Sequence, residues 1–417
     1  MLRRYLKGSA ILMAIGLVAS ACAGTAPGGG GTGGGGAAKT VKIVSSFPMT
    51  GPSLAQTQTM VNAIKMAIDE IGGTNGNNGK IGNITVQYEA LDDATPAKQN
   101  WDGAKEAENA RKAIEDKSVV AYIGTYNSGA AAVSIPILCQ ANMAMISPAN
   151  TYAGLTKKGK GEAGEPEKYY PGGCKRNYSR VVPADDLQGE VGARWMKELG
   201  GKSVYILHDN ELYGKGLADV FRAEAKKQGI TEAGYEGAPK ADNYRTLANK
   251  VAASNADFVY YAGVTPNNGG FILRDLKATK PSIKFMSVDG LAESAFLEQA
   301  GASAEGQYFT FGGFPASAYT GAPKEWADKY KAKYGGVVEV YTIYSYEAAK
   351  VVLEAIRKAG DKADDRATVR DNIMSTKDFT GVLGQKWSFN NEGDTTITTM
   401  AGMIVKGKDF TFAKELK

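Results

Sequence analysis

The chain predicts an α/β protein built from two wound, parallel-rich sheets, one to a lobe, and three observations carry that prediction. Short β-rich runs alternate with longer stretches of helical period, the pattern of βαβ units. The alternation halts in a loop rich in Gly, Lys and Pro, from Lys157 to Lys175, and then restarts. The body from Val41 to Lys417 is too long for one ordinary domain and suits two.

Element by element, the first half opens with a strand at Val41–Ser45 and a helix over Gln56–Ile71. Met60, Ala63, Ile64, Ala67, Ile68 and Ile71 share one face of that helix, and Gly and Asn between Gly72 and Gly79 end it. A strand at Ile84–Ala90, a helix from about Ala97 to Asp116, a strand at Val119–Ile123, a helix at Gly129–Gln140 and a strand at Ala144–Ser147 follow. The second half reads as helix Leu187–Leu199, strand Ser203–Leu207, helices Gly214–Gln228 and Tyr244–Ala253, strand Phe258–Tyr261, helix Gly270–Ala278 and strand Phe285–Val288. Helices at Pro323–Tyr334, Tyr344–Ala359 and Ala367–Met374 have no strand between them and return to the flank of one lobe. Strands at Gln307–Phe311 and Thr396–Val405 close a sheet late in the chain.

Ahead of this body, Arg3, Arg4 and Lys7 precede an uncharged, mostly apolar stretch, Gly8–Ala21. It is shorter than the ~20 residues that span a bilayer and reads as a cleaved signal over residues 1–21. Ala19, Ser20 and Ala21 lead into Cys22, and the pattern resembles a bacterial lipoprotein signal. That resemblance implies acylation of Cys22 and an extracytoplasmic place of work, periplasm or cell surface, on a lipid anchor worth about 0.8 kcal/mol per buried CH₂. Residues 22–40 are glycine-rich. They are either a tether with a reach on the order of 20–25 Å or a segment without a role.

Composition narrows the function. With 43% hydrophobic and 22% charged residues the body can build substantial cores. The net charge of +5 falls by three when the signal's basic residues leave, so no basic field remains to hold nucleic acid. Cys139 and Cys174 are the cysteines left after Cys22. They form either a disulfide, worth about 3–4 kcal/mol, or a pair of buried thiols. A single histidine, His208, excludes a two-histidine zinc helix and leaves one candidate for a Ser-His-Asp triad. It ends a strand and reads as a core residue. No G-x-S-x-G elbow or phosphate loop occurs, so neither a metal nor a cofactor is expected. Asp289 with Ser128 is the only support for an enzyme.

Open α/β sheets bind ligands beyond the carboxyl ends of their strands, and four such loops carry small polar or acidic side chains. Thr125-Tyr126-Asn127-Ser128 places Ser128 at a helix start, as a plain N-cap or as a carboxylate receptor helped by the helix dipole. Pro148-Ala149-Asn150-Thr151 is a turn that offers the Ala149 carbonyl and the Thr151 hydroxyl to an ammonium group. After Asp209, Tyr213 either stands at the mouth of the second lobe or packs on its own helix. Asp289-Gly290 makes a turn or, in a closed cleft, supplies a negative partner to an ammonium.

The segments MTGP from Met49, YIGTYNSGAA from Tyr122, ISPANT from Ile146, RVVPADDLQG from Arg180, HDNELYGKGLA from His208, ADFVYYAG from Ala256 and SAEGQYFT from Ser303 resemble the leucine/isoleucine/valine-binding proteins. These are type I periplasmic solute-binding components of branched-chain amino-acid ABC transporters. The resemblance implies two Rossmann-like lobes, 41–183 with 313–394 and 184–312 with 395–417, joined by three crossovers near Val182–Ala184, Phe311–Phe314 and Asn391–Thr395. It implies that Ser128 holds a ligand α-carboxylate, that Ala149 and Thr151 contact the head group, that Tyr213 closes from the second lobe, and that Asp289 stands where Glu is usual for the ammonium. Asn127 adjoins Ser128. Gln56 and Val264 occupy places where the leucine-binding type has aromatic residues. A monomeric, non-enzymatic receptor for an amino acid follows, partnered by an ABC permease and the membrane. The alternative is a sensory receptor of the same fold for amide- or urea-like solutes.

Overall fold

The computed structural model describes residues 38–417, so the predicted signal, Cys22 and all but the last three residues of the predicted tether lie outside it. The first strand, Lys39–Phe47, takes in two residues assigned to the tether, because Lys39 and Thr40 already pair with Ile84 and Thr85.

A six-stranded sheet runs in the order Asn78–Ile81, Ile84–Asp92, Lys39–Phe47, Val119–Gly124, Ala144–Ser147, Tyr178–Arg180. Only the outermost hairpin strand, Asn78–Ile81, is antiparallel. A seven-stranded sheet runs Thr231–Gly237, Ser203–His208, Phe258–Ala262, Lys284–Ser287, Tyr308–Gly312, Met400–Lys406, Asp409–Leu416, in which Met400–Lys406 alone runs antiparallel to the rest. Every residue of Val119–Gly124, Ala144–Ser147 and Phe258–Ala262 is buried, as expected for strands covered by helices on both faces. In each sheet the strand order reverses beside the first strand of its lobe, between Lys39–Phe47 and Val119–Gly124 and between Ser203–His208 and Phe258–Ala262. These two switch points open the crevices that place the site.

The chain passes between sheets three times. It leaves Tyr178–Arg180 for the helix Asp185–Glu198, leaves Tyr308–Gly312 for the helix Ala322–Tyr334, and returns after Asp394, which bridges to Arg180, to reach Met400–Lys406. Backbone bonds tie the crossovers together: Arg180 N–H donates to the Gly393 carbonyl at 3.0 Å and Gly313 N–H to that of Thr399 at 2.9 Å. After the second crossover the helices Thr342–Ala359 and Arg366–Met374 lie on the first sheet's flank. Thr342 pairs its hydroxyl with Thr59 of the helix Leu54–Asp69, and the Arg366 guanidinium donates to the carbonyls of Ala113, Ile114, Asp116 and Val119.

Differences from the predicted elements have local causes. The helix expected from Ala97 starts at Gly103, because Ala94–Thr95 and Asn100–Trp101 form a two-residue ladder and the Asp102 carboxylate then caps the amides of Ala104 and Lys105 at 3.0 Å. Four strands of the two main sheets were not foreseen, Asn78–Ile81, Tyr178–Arg180, Thr231–Gly237 and Asp409–Leu416, nor were the two-residue ladders Ala94–Thr95 with Asn100–Trp101 and Phe379–Thr380 with Lys386–Trp387. The strand expected over Thr396–Val405 begins at Met400, its first four residues serving the third crossover. Cys139 and Cys174 are joined in a disulfide, with Cα atoms 5.9 Å apart. It anchors the far end of the helix Ser128–Gln140. Among the described residues no helix is long and apolar enough to cross a membrane.

Candidate functional site

Seven of the eight predicted ligand positions, Asn127, Ser128, Ala149, Thr151, Tyr213, Val264 and Asp289, line one cavity between the lobes, together with Tyr126, Gly290 and Tyr341. Gln56 is not in its lining; it lies fully buried in the first turn of the helix Leu54–Asp69. The lobes are drawn together, leaving a cavity of about 20 Å³, room for about one water.

On the first lobe, one side chain clamps two loops. The Asn150 amide donates to the carbonyls of Thr125 and Tyr126 at 2.9 and 3.0 Å, and its oxygen accepts from Thr125 N–H at 3.3 Å. Ser128 is thereby held at the N-terminus of a 13-residue helix, where unpaired backbone N–H groups and the dipole favour an anion. Its hydroxyl accepts from Tyr152 N–H at 3.3 Å. The Asn127 side-chain oxygen Oδ1 and the Thr151 hydroxyl are buried without a hydrogen-bond partner.

On the second lobe, Asp289 heads a short 3₁₀ turn after the strand Lys284–Ser287. Its Oδ1 accepts from the Tyr213 hydroxyl and from Gln188 Nε2, each at 2.7 Å, while Oδ2 accepts from the Tyr341 hydroxyl of the first lobe. Tyr213 in turn accepts from Gly290 N–H at 3.1 Å. These partners are neutral. Burial raises the Asp289 pKa against the three hydrogen bonds that work to lower it. Beside it, Asp185 is buried with neither carboxylate oxygen paired, its backbone N–H donating to the Thr151 carbonyl at 2.8 Å. Burial first, and the charge of Asp289 second, push Asp185 well above the usual carboxylate range. No Lys or Arg lines the cavity. The site therefore joins an anion-receiving helix end to the Asp289 carboxylate, whose hydrogen-bond partners are all neutral, with Asp185 buried beside it.

Sequence reasoning missed Asp185, Gln188, Tyr126 and Tyr341. The first two were in view, inside RVVPADDLQG, but an acid in a helix's first turn is ordinary. Tyr341 precedes a flank helix and carries no local signal. At the rim, Glu211 of the second lobe accepts from Trp101 Nε1 at 2.7 Å and Asn100 Nδ2 at 3.2 Å of the first. His208 lies buried at its strand end, Nδ1 accepting from Asn210 N–H at 3.2 Å, its pKa lowered by burial. It is absent from the cavity lining.

Residues 40–409 match the family model of periplasmic binding proteins. A Leu/Ile/Val-binding protein of Rhizobium johnstonii is 30% identical over 84% of this chain and 87% of its own length. A leucine-, isoleucine-, valine-, threonine- and alanine-binding protein of Pseudomonas aeruginosa is 29% identical over 86% of this chain and 88% of its own. Among solved structures, a leucine-binding protein from Thermotoga maritima superposes with a TM-score of 0.76 at 25% identity, covering 90% of this chain and 99% of its own.

Proposed function

Because the chain belongs to the periplasmic binding protein family, whose members bind solutes, we propose that it is an extracytoplasmic receptor that captures a free amino acid by closing its lobes and delivers it to an ABC permease. One observation carries this reading: the buried Asp289 carboxylate, which has no cationic protein partner, shares a cavity with the helix start at Ser128. A zwitterion supplies what each end lacks. Its carboxylate meets the Ser128 hydroxyl and the free helix amides; its ammonium meets Asp289, the Ala149 carbonyl and the Thr151 hydroxyl; Tyr213 closes over it. The names of the amino-acid-binding relatives support the same class.

Ligand contacts from both lobes coexist only in the closed form, so binding shifts the population toward closure. The lobes are assigned as 41–183 with 313–394 and 184–312 with 395–417. Acylated Cys22 holds the monomer on the membrane, and the Cys139–Cys174 bridge is oxidised in the mature protein. Calorimetry on ligand-stripped protein with a panel of amino acids tests the reading: one amino acid gives saturable heat, and silence from all of them refutes it. Intact mass after alkylation without reductant tests the bridge, which requires that neither Cys139 nor Cys174 be labelled.

A further inference from the structure

A second group of unpaired polar atoms lies at the lobe junction beyond the Asp289 end of the cavity. Glu293 follows Asp289 by four residues and is 1% exposed. Its Oε1 accepts from the Ser53 hydroxyl at 3.0 Å, a bond between lobes; its Oε2 makes no hydrogen bond, although the Thr265 and Tyr126 hydroxyls stand close enough to favour the ionised carboxyl. Gln56 is 0% exposed, and neither its Nε2 nor its Oε1 has a partner. Residues three apart share a stripe of a helix. Ser53, at the N-cap of Leu54–Asp69, touches Glu293, and Thr59 touches Thr342. Gln56 lies between them on that stripe, so it faces the side on which Glu293 and the Tyr341–Thr342 turn pack. Tyr126 stands between these groups and the cavity: it lines the cavity, its ring packs edge-on against Tyr341 at 5.7 Å, and it feels the charges of Glu293, Asp289 and Glu339.

Burying one oxygen of a carboxylate and a whole primary amide without hydrogen-bond partners is costly, and such groups call for a completing water, ion or ligand. An aliphatic side chain completes neither. We infer that Glu293 and Gln56, with Ser53 and Tyr126, form a second recognition end that takes a nitrogen N–H donor at the far end of the ligand. The ligand is an amino acid with a cationic or carboxamide side chain, anchored at Asp289 by its α-ammonium and at Glu293 by its distal N–H. Gln56 suits both: its oxygen accepts from either group, and its amide nitrogen donates to a carboxamide oxygen. This rests on the amino-acid reading above. Burial pushes the Glu293 carboxyl up to about 7, which a ligand cation reverses.

The test is calorimetry on the ligand-stripped chain with leucine, glutamine, ornithine and lysine, repeated on Glu293→Gln and Gln56→Leu, with melting curves for each. Wild type is expected to bind glutamine or a basic amino acid about tenfold or more tighter than leucine. Glu293→Gln is expected to weaken a basic ligand about thirtyfold while leaving leucine within about threefold, and Gln56→Leu to shift preference toward leucine. A basic winner makes Glu293 a charge partner; a glutamine winner makes the subsite an amide pair. Leucine binding tighter than all three donors overturns the inference and leaves the amino-acid reading standing, and no binding of any amino acid overturns both. Equal weakening of every ligand by Glu293→Gln also refutes it. If that variant does not fold, the wild-type ranking still decides.

Discussion

Of the carboxylates buried where the lobes meet, Asp394 at the crossovers and Asp289 in the cleft are completed in opposite ways. Asp394 accepts from Arg180 Nε at 2.6 Å and from the Thr156 hydroxyl at 2.9 Å, and the 0%-exposed guanidinium also donates to the carbonyls of Asn150 and Tyr152 at 3.2 and 2.8 Å. Burial alone would raise the Asp394 pKa, but the Arg180 charge holds it below the usual value. Asp289 has only hydroxyl and amide donors, and its pKa is raised. The hinge carries its own counter-charge. The cleft lining around Asp289 carries none.

The contrast breaks first in stability. Arg180→Met leaves the buried Asp394 with the Thr156 hydroxyl and a Lys157 ammonium 4.0 Å away in place of its guanidinium partner, and is expected to cost about 3–5 kcal/mol, read as a lower denaturant midpoint. Asp289→Asn is expected to cost about 2–5 kcal/mol of ligand affinity by calorimetry while leaving the ligand-free midpoint unchanged or higher. If the two variants destabilise the free protein alike, the two sites do not differ in the way described.

Titration sharpens the comparison. Asp289 and Asp185 have raised folded-state pKa values, so the ligand-free fold binds more protons than the unfolded chain above about pH 4, and their contribution falls as pH rises through that window, by at most about 1.4 kcal/mol per unit per group. Asp394 has the opposite sign: its contribution is present above about pH 4 and is lost as pH falls through its lowered value. Ligand affinity is expected to rise with pH across the first window, because an ammonium needs the carboxylate ionised; proton release measured in two buffers checks this. The smallest effect belongs to the rim. Glu211→Gln weakens the bonds to Trp101 and Asn100 and is expected to reduce ligand affinity by about 1 kcal/mol or less without changing which ligand is preferred.

Strands such as Val119–Gly124, buried at every position, were legible because a continuous apolar run bounded by turns has few other uses. Thr231–Gly237 was not, since it lies on a sheet edge with no buried residue and its pattern carries almost no period. Ser128, Ala149, Thr151, Tyr213 and Asp289 were found because a ligand site in a wound sheet lies after strand ends, which sequence order marks. Asp185, Gln188 and Tyr341 escaped because they come from a crossover helix and a flank helix, and only the meeting of the lobes brings them to Asp289.

By itself, then, the sequence determined the local elements, the two-sheet architecture and the loops available for recognition, since periodicity and turn chemistry act over a few residues. The tertiary structure decided which buried charges have partners. That depends on groups hundreds of positions apart, as with Arg180 and Asp394, whose separation of 214 residues leaves no trace in either one's neighbourhood.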